Sequence, residues 1–378
     1  MSQSAATAMR PLGATGLQLP ALGFGGAPLG EPFVKIPEAQ AQAALQAAWD
    51  LGVRYFDTAP WYGHGLSEHR IGHFLRQQEP RSWWCSTKVG RVYSRFRGDI
   101  EAAVTNAPWA QGSDSASATA PWAGGLPFTP RFDYSYDGIM RSYEDSLHRL
   151  GQNRVQSLVI HDLDFQYHNS EAEVAERLQQ LTDGWRALME LKNSGEIRAI
   201  GAGINQRGMM TRFLKDFSID FFLVAMPYTL LDQEVLDDEF PACEARGVGV
   251  VVGSPFASEI LAVGARPGVK CDYVPAQPDM LQRVARIDEV CRSHGVPLKA
   301  VALQFPLGHP IVTSVIPGVV SVDQVQENVA LLEVNIPDAC WRDLKSEGLI
   351  REDAPVSATS TLTPNVPQQT SPRQSEPL

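Results

Sequence analysis

Four side chains in the first half of the chain are of the types that move a proton. Asp57 and Tyr62 sit in the run Val53-Arg54-Tyr55-Phe56-Asp57-Thr58-Ala59-Pro60-Trp61-Tyr62-Gly63. Lys88 closes Ser86-Thr87-Lys88, and His161 follows the apolar run Val155 to Ile160. A free tyrosine loses its proton only near pH ~10, so it is a poor base at neutral pH. A neighbouring ammonium favours the phenolate. Asp57 would keep Lys88 charged and oriented, and Tyr62 would take a proton from an alcohol or give one to a carbonyl oxygen. His161 would orient that oxygen. The set therefore suits hydride transfer coupled to proton transfer. Taken singly, each residue has a plain structural reading: a loop-capping acid, a surface phenol, a strand-closing lysine, a hydrogen-bonded histidine. Their recurrence at consecutive strand ends is what argues for chemistry. No residues stand at metal-ligand spacing, so no metal is expected.

The elements that must position them alternate. Arg10 to Leu19 predicts a β-hairpin, and Ala21 to Gly25 a first core strand. Strands follow at Val53–Asp57, Trp83–Lys88, Val155–His161, Ile197–Gly201, Phe221–Ala225, Val248–Val252 and Ile311–Ile316. Helices are expected at Pro37–Leu51, Ser67 (as cap) to Arg76, Tyr136–Leu150, Glu171–Lys192, Gly208–Asp216, Leu231–Arg246, Met280–His294, Leu298–Gln304 and Val322–Leu332. The strands are nearly continuous apolar runs, as in a parallel sheet covered on both faces. Eight such units predict a single (β/α)8 barrel over residues 1–350. An open doubly wound sheet would carry G-x-G-x-x-G after its first strand. Gly23-Phe24-Gly25-Gly26-Ala27-Pro28 lacks the last glycine. A long loop over about 90–132 and a Pro/Ser/Thr/Gln-rich tail over 351–378, expected to be disordered, fall outside the pattern.

With 378 residues, 44% of them hydrophobic, the chain can bury a large core. A net charge of −11 without a basic stripe speaks against nucleic acid and anionic membranes as partners. No apolar run is long enough to span a bilayer, and Met1 to Arg10 does not read as a secretory signal. The five cysteines are scattered and none form C-x-x-C, which predicts reduced thiols and a cytoplasmic protein. Oligomeric state is not encoded in any of these features.

Asp57, Tyr62, Lys88 and His161 in these contexts resemble the catalytic tetrad of the aldo-keto reductases, as do Gly23-Phe24-Gly25, Phe56-Asp57-Thr58-Ala59, Ser86-Thr87-Lys88, Ile316-Pro317-Gly318 and Glu327-Asn328. The resemblance runs from about Leu12 to Leu332. It implies a (β/α)8 barrel that uses a nicotinamide cofactor without a Rossmann motif. Phe132-Asp133-Tyr134-Ser135-Tyr136-Asp137, Arg141 to Leu147, Ile160-His161-Asp162 and Tyr228 to Gln233 resemble its aldose 1-dehydrogenase branch. That branch includes L-fucose, D-threo-aldose and L-galactose dehydrogenases and pyridoxal 4-dehydrogenase, and its members oxidise a cyclic hemiacetal to a lactone.

By the same resemblance, cofactor contacts are expected from Gly26, Ala27, Asp57, Asn205, Ser254, Pro255, Phe256, Gly318, Ser321, Gln324, Glu327 and Asn328. NADPH-preferring relatives carry Lys and Arg where this chain has Gly318 and Gln324, so NAD is the expected cofactor, with NADP second. Trp61, Tyr62 and His161 are expected at the substrate, with Tyr93 and the aromatics of Trp122 to Phe132 as further walls. The expected substrate is an aldose hemiacetal. Pyridoxal, a carbonyl to be reduced, and a cofactor-sensing regulatory role are the alternatives.

Overall fold

The computed structural model describes residues 4–32, 34–97, 122–272 and 274–356. A short hairpin opens it, with β1 (Met9–Pro11) antiparallel to β2 (Gln18–Pro20). The barrel strands are β3 (Phe24–Gly25), β4 (Tyr55–Asp57) and β5 (Trp84–Val89). A second hairpin of β6 (Arg91–Arg95) and β7 (Phe128–Phe132) interrupts them. The barrel resumes with β8 (Ser157–Ile160), β9 (Ala199–Ile204), β10 (Phe221–Val224) and β11 (Gly249–Val252). After the short pair β12 (Lys270–Cys271) and β13 (Val274–Pro275) comes the last barrel strand, β14 (Val312–Val315).

The eight barrel strands lie in the order β3-β4-β5-β8-β9-β10-β11-β14, every neighbour parallel. Parallel bridges Leu22↔Val315 and Gly25↔Gly318 close the ring, with Gly23 N–H donating to the Val315 carbonyl at 2.9 Å. Every barrel strand is buried along its length, which is why each reads as an unbroken apolar run. Tyr55, Trp84, Val159, Phe221, Val251 and Ile316 fill the interior, and Leu12 and Leu19 of the first hairpin join them. The larger apolar layer lies between the sheet and the surrounding helices.

Several expectations are corrected. The helix expected from Leu231 forms only over Glu239–Arg246, after a 3-10 turn at Glu234–Leu236. A helix running from 231 would put Pro241 in its interior, whereas a start at 239 puts it in the first turn, where no amide is needed. Ser67 is not a cap. Gly65, in the left-handed region at φ 100°, precedes the helix Leu66–Leu75. Ser67 lies inside it and donates to the Gly26 carbonyl at 2.8 Å, while sharing a 2.9 Å bond with the Thr58 hydroxyl. The segment 90–132 is a hairpin at both described ends, and 98–121 lie outside the described residues. Residues 351–356 belong to the packed body: Arg351 pairs with Asp237 and Asp353, and Ala354 is buried. The rest of the expected tail, 357–378, lies outside the described residues. A further helix, Asp338–Ser346, was not anticipated.

Candidate active site

Parallel strands put all their C-terminal ends on one rim, where barrel enzymes keep their chemistry. β4 ends at Asp57, β5 one residue after Lys88, and β8 one residue before His161. Tyr62 follows in the turn after β4, half-buried, its amide bonded to the Ala59 carbonyl. The structure brings the four together. Lys88 Nζ donates to Asp57 Oδ2 at 2.6 Å and to the Thr58 carbonyl at 2.9 Å. The same ammonium lies 4.5 Å from the centre of the Tyr62 ring. The Tyr62 and His161 rings meet edge to face at 5.8 Å.

Lys88 and Asp57 are both almost fully buried, so each depends on the other for charge compensation. Burial pushes the Asp57 carboxyl upward, opposed by Lys88 and by the Ser86 hydroxyl, which donates to Oδ1 at 2.5 Å. Tyr55 shares a 3.2 Å bond with that hydroxyl, so the carboxylate is braced from inside the barrel. His161 is held well below its ordinary pKa by burial, Arg91 and Lys88, which keeps the imidazole neutral at pH 7.

Three neighbours escaped the sequence reading. Arg91, the first residue of β6, is buried between His161 and Asp162, with Nη1 3.2 Å from His161 Nδ1 and 2.7 Å from Asp162 Oδ2. Asp162, at φ 54°, holds Asn205 Nδ2 at 3.0 Å. Asp164, fully buried, accepts from the same amide at 2.9 Å, and burial beside Asp162 raises it to about 6. The available signal was the Gly90-Arg91 pair directly after a strand carrying Lys88. A charged residue there has no reason to be buried unless something pairs with it.

Trp61 and Trp122 stand edge to face at 5.6 Å, and Trp122 lies 6.4 Å from the Tyr62 ring, so Trp122 borders the phenol. Tyr93 instead packs on Phe128 and His64, and Phe132 stacks on Tyr134.

The residues expected at a cofactor lie along the same rim, after β3, β9, β11 and β14. Gly26 passes so close to β4 that a Cβ there would sit 2.5 Å from the Asp57 carbonyl, and its amide already donates to that oxygen at 2.8 Å. Its glycine is required by strand packing. Ala27 beside it is half-buried. Asn205 is fixed by the two acids above. Ser254 and Phe256 are half-buried and Pro255 buried, in a turn where Ala257 and Ser258 both take positive φ. Two consecutive non-glycine residues in that region mark a strained loop.

After β14, Gly318 is exposed and the helix Val322–Leu332 begins. Ser321 caps it by accepting from Gln324 N–H at 3.3 Å, and the Gln324 side chain accepts from Val320 N–H at 2.8 Å. Gln324 therefore has a capping role as well. Glu327 is paired with Lys299, while Asn328 turns inward onto a small cavity lined by Leu22, Phe24, Pro317 and Val319.

A nicotinamide dinucleotide fits this donor set. The helix N-terminus leaves the Val322 and Asp323 amides without intrahelical partners, a setting that suits a phosphate, with the Ser321 hydroxyl adjacent in sequence. No Lys or Arg occurs from Ile316 to Asn328. Among the described residues no group of His, Cys, Asp and Glu is arranged to hold a metal ion, and no helix is long and apolar enough to cross a membrane. All five cysteines are buried and free.

Comparison with known proteins agrees with this geometry. The model of the aldo/keto reductase family matches residues 21–347. Pyridoxal 4-dehydrogenase of Microbacterium luteolum is 40% identical over 345 residues, covering 91% of this chain and 98% of that protein. D-threo-aldose 1-dehydrogenase of a Pseudomonas species is 34% identical, covering 89% and 96%. Among solved structures, the holo form of an aldo-keto reductase from Bacillus halodurans superposes with a TM-score of 0.67 at 25% identity, over 93% of this chain and 98% of that one. With its closed barrel and with relatives named for aldose and pyridoxal dehydrogenation, the chain belongs to the aldo/keto reductase family of oxidoreductases.

Proposed function

We propose that the protein is an NAD-dependent dehydrogenase that oxidises a cyclic hemiacetal to a lactone, with an aldose oxidised at C1 as the substrate. The observation that carries this reading is the Asp57–Lys88–Tyr62–His161 cluster on one barrel rim. When bound, the nicotinamide supplies the hydride acceptor. Tyr62 takes the hydroxyl proton, since an ammonium 4.5 Å from its ring favours the phenolate. Asp57 and the Thr58 carbonyl hold Lys88 in place for that task. Neutral His161 donates to the reacting oxygen and fixes its direction. Trp61, half-buried beside Tyr62, offers an aromatic face on which a sugar or a pyridine ring can lie, with the buried Trp122 packed edge to face against it.

NAD is favoured over NADP by the uncharged stretch after β14. An extra ribose phosphate would meet no cation there, and the nearby Lys299 is already paired with Glu327. A second substrate reading, ring-closed pyridoxal, draws on the 40% identity to a pyridoxal 4-dehydrogenase. Both substrates give lactones by the same proton and hydride movements.

The test is reduced-cofactor formation across L-fucose, L-galactose, D-arabinose and pyridoxal, each with NAD+ and with NADP+. Lactone formation on one of the four, with NAD+ the better cofactor, is the expected result. An absence of turnover on all four overturns the hemiacetal reading, and equal or better efficiency with NADP+ overturns the cofactor reading.

A further inference from the structure

We propose that Arg91 is a positioning residue that fixes the tautomer of His161, placing the ring proton on Nε2 where a substrate oxygen can accept it. The inference deepens the proposed function, since it takes His161 to be the group that holds that oxygen.

An arginine donates and never accepts. Its Nη1 lies 3.2 Å from His161 Nδ1, so that nitrogen must offer its lone pair. In a neutral imidazole the single proton is then on Nε2. The same Nη1 forms an ion pair with Asp162 Oδ2 at 2.7 Å, so one end of the guanidinium lies against both neighbours. The opposite ring nitrogen is consistent with this tautomer. Nε2 is 3.4 Å from Asp162 Oδ1, a carboxylate oxygen that can only accept. That separation exceeds a normal hydrogen bond, and Asn205 already donates to the same oxygen at 3.0 Å. The Nε2 proton is therefore available to a ligand.

Arg91 is itself immobilised. Its Cζ lies 4.6 Å from the Trp61 ring centre, 4.3 Å from Phe132 and 5.0 Å from Tyr167, and only 4% of the residue is exposed. Two backbone features aim it. Gly90, at φ 103°, turns the chain between Lys88 and Arg91. Asp162, also in the left-handed region, follows His161 directly, so that both side chains meet the guanidinium. A second positive charge on His161 would sit against Arg91 and Lys88, which opposes the doubly protonated ring.

The test is nitrogen NMR of the full-length protein labelled at histidine, with His161→Gln assigning the His161 signals. In the wild type, Nδ1 should show the shift of an unprotonated nitrogen and Nε2 that of a protonated one. Arg91→Lys keeps the charge but loses the planar two-hydrogen donor. It should mix the tautomers and lower kcat by at least about tenfold, with KM and NAD affinity little changed, because a ring protonated on the wrong nitrogen is a poor donor. Added guanidinium should recover part of the rate in Arg91→Ala. A wild-type His161 carrying its proton on Nδ1 overturns the proposal without any variant, as does an Arg91→Lys enzyme with unchanged tautomer and kcat. If His161→Gln turns over normally, the reading of the site falls and the proposal with it. If His161→Gln is inactive and the wild type carries its proton on Nδ1, the proposal alone falls.

Discussion

At the scale of single residues, the rim shows how burial and partners set protonation. Asp164 is an acid with no cation against it: it accepts from Asn205 and from the Gln166 amide at 3.0 Å, beside Asp162. Its carboxyl is raised from 3.8 to about 6. The folded state thus holds the proton more tightly than the unfolded chain. The stabilisation this brings is complete below the unfolded value and is lost as pH rises through about 6. Asp164→Asn keeps an oxygen for Gln166 and does not titrate. It should gain on the wild type as pH rises from about 4 to about 8, by on the order of 2 kcal/mol. Urea unfolding at several pH values measures this, and a stability gap that does not change with pH would contradict it.

At the scale of elements, the chemistry depends on where strands end and how the chain leaves them. The turn from β5 into β6 is the most demanding. Gly90 is in the left-handed region, and a Cβ there would meet Tyr134 Cε1 at 2.3 Å. Tyr134 cannot retreat easily, because its hydroxyl donates to the His161 carbonyl at 2.8 Å. Gly90→Ala should therefore destabilise by about 1–3 kcal/mol from overpacking, with the left-handed backbone penalty added. It should lower kcat further by moving Arg91 and His161. A variant with wild-type melting and turnover would show that the turn is tolerant.

Asp57, Lys88 and His161 were legible in the sequence because each ends an apolar run, and a parallel sheet sends all such ends to one rim. The helices Tyr136–Leu150 and Val322–Leu332 form at the bounds expected from the sequence. Arg91 was not. Its strand pairs with Phe128–Phe132 across a segment too long for local pattern to bridge, so neither the hairpin nor the burial of its arginine shows in neighbouring residues. Ser67 misled for a related reason. Its partner Gly26 is 41 residues away, and a serine near a helix start reads as a cap unless that contact is known.

At the scale of the whole molecule, the barrel separates stability from chemistry. The N-terminal hairpin feeds Leu12 and Leu19 into the barrel interior, and neither contributes to the rim that carries Tyr62. Leu12 is fully buried, so Leu12→Ala should cost about 2–5 kcal/mol. The expected signature is a lower melting temperature with kcat and KM unchanged at temperatures where the variant stays folded. A selective fall in kcat would mean that the hairpin and the rim are coupled. The central claim is that the Tyr62 phenol, beside the Lys88 ammonium, moves the proton. It is tested most directly by the turnover of Tyr62→Phe on whichever hemiacetal the wild type oxidises, measured beside NAD binding by titration. The account predicts a fall in kcat of about 10²–10⁴-fold at unchanged cofactor affinity; a near-normal rate would contradict it.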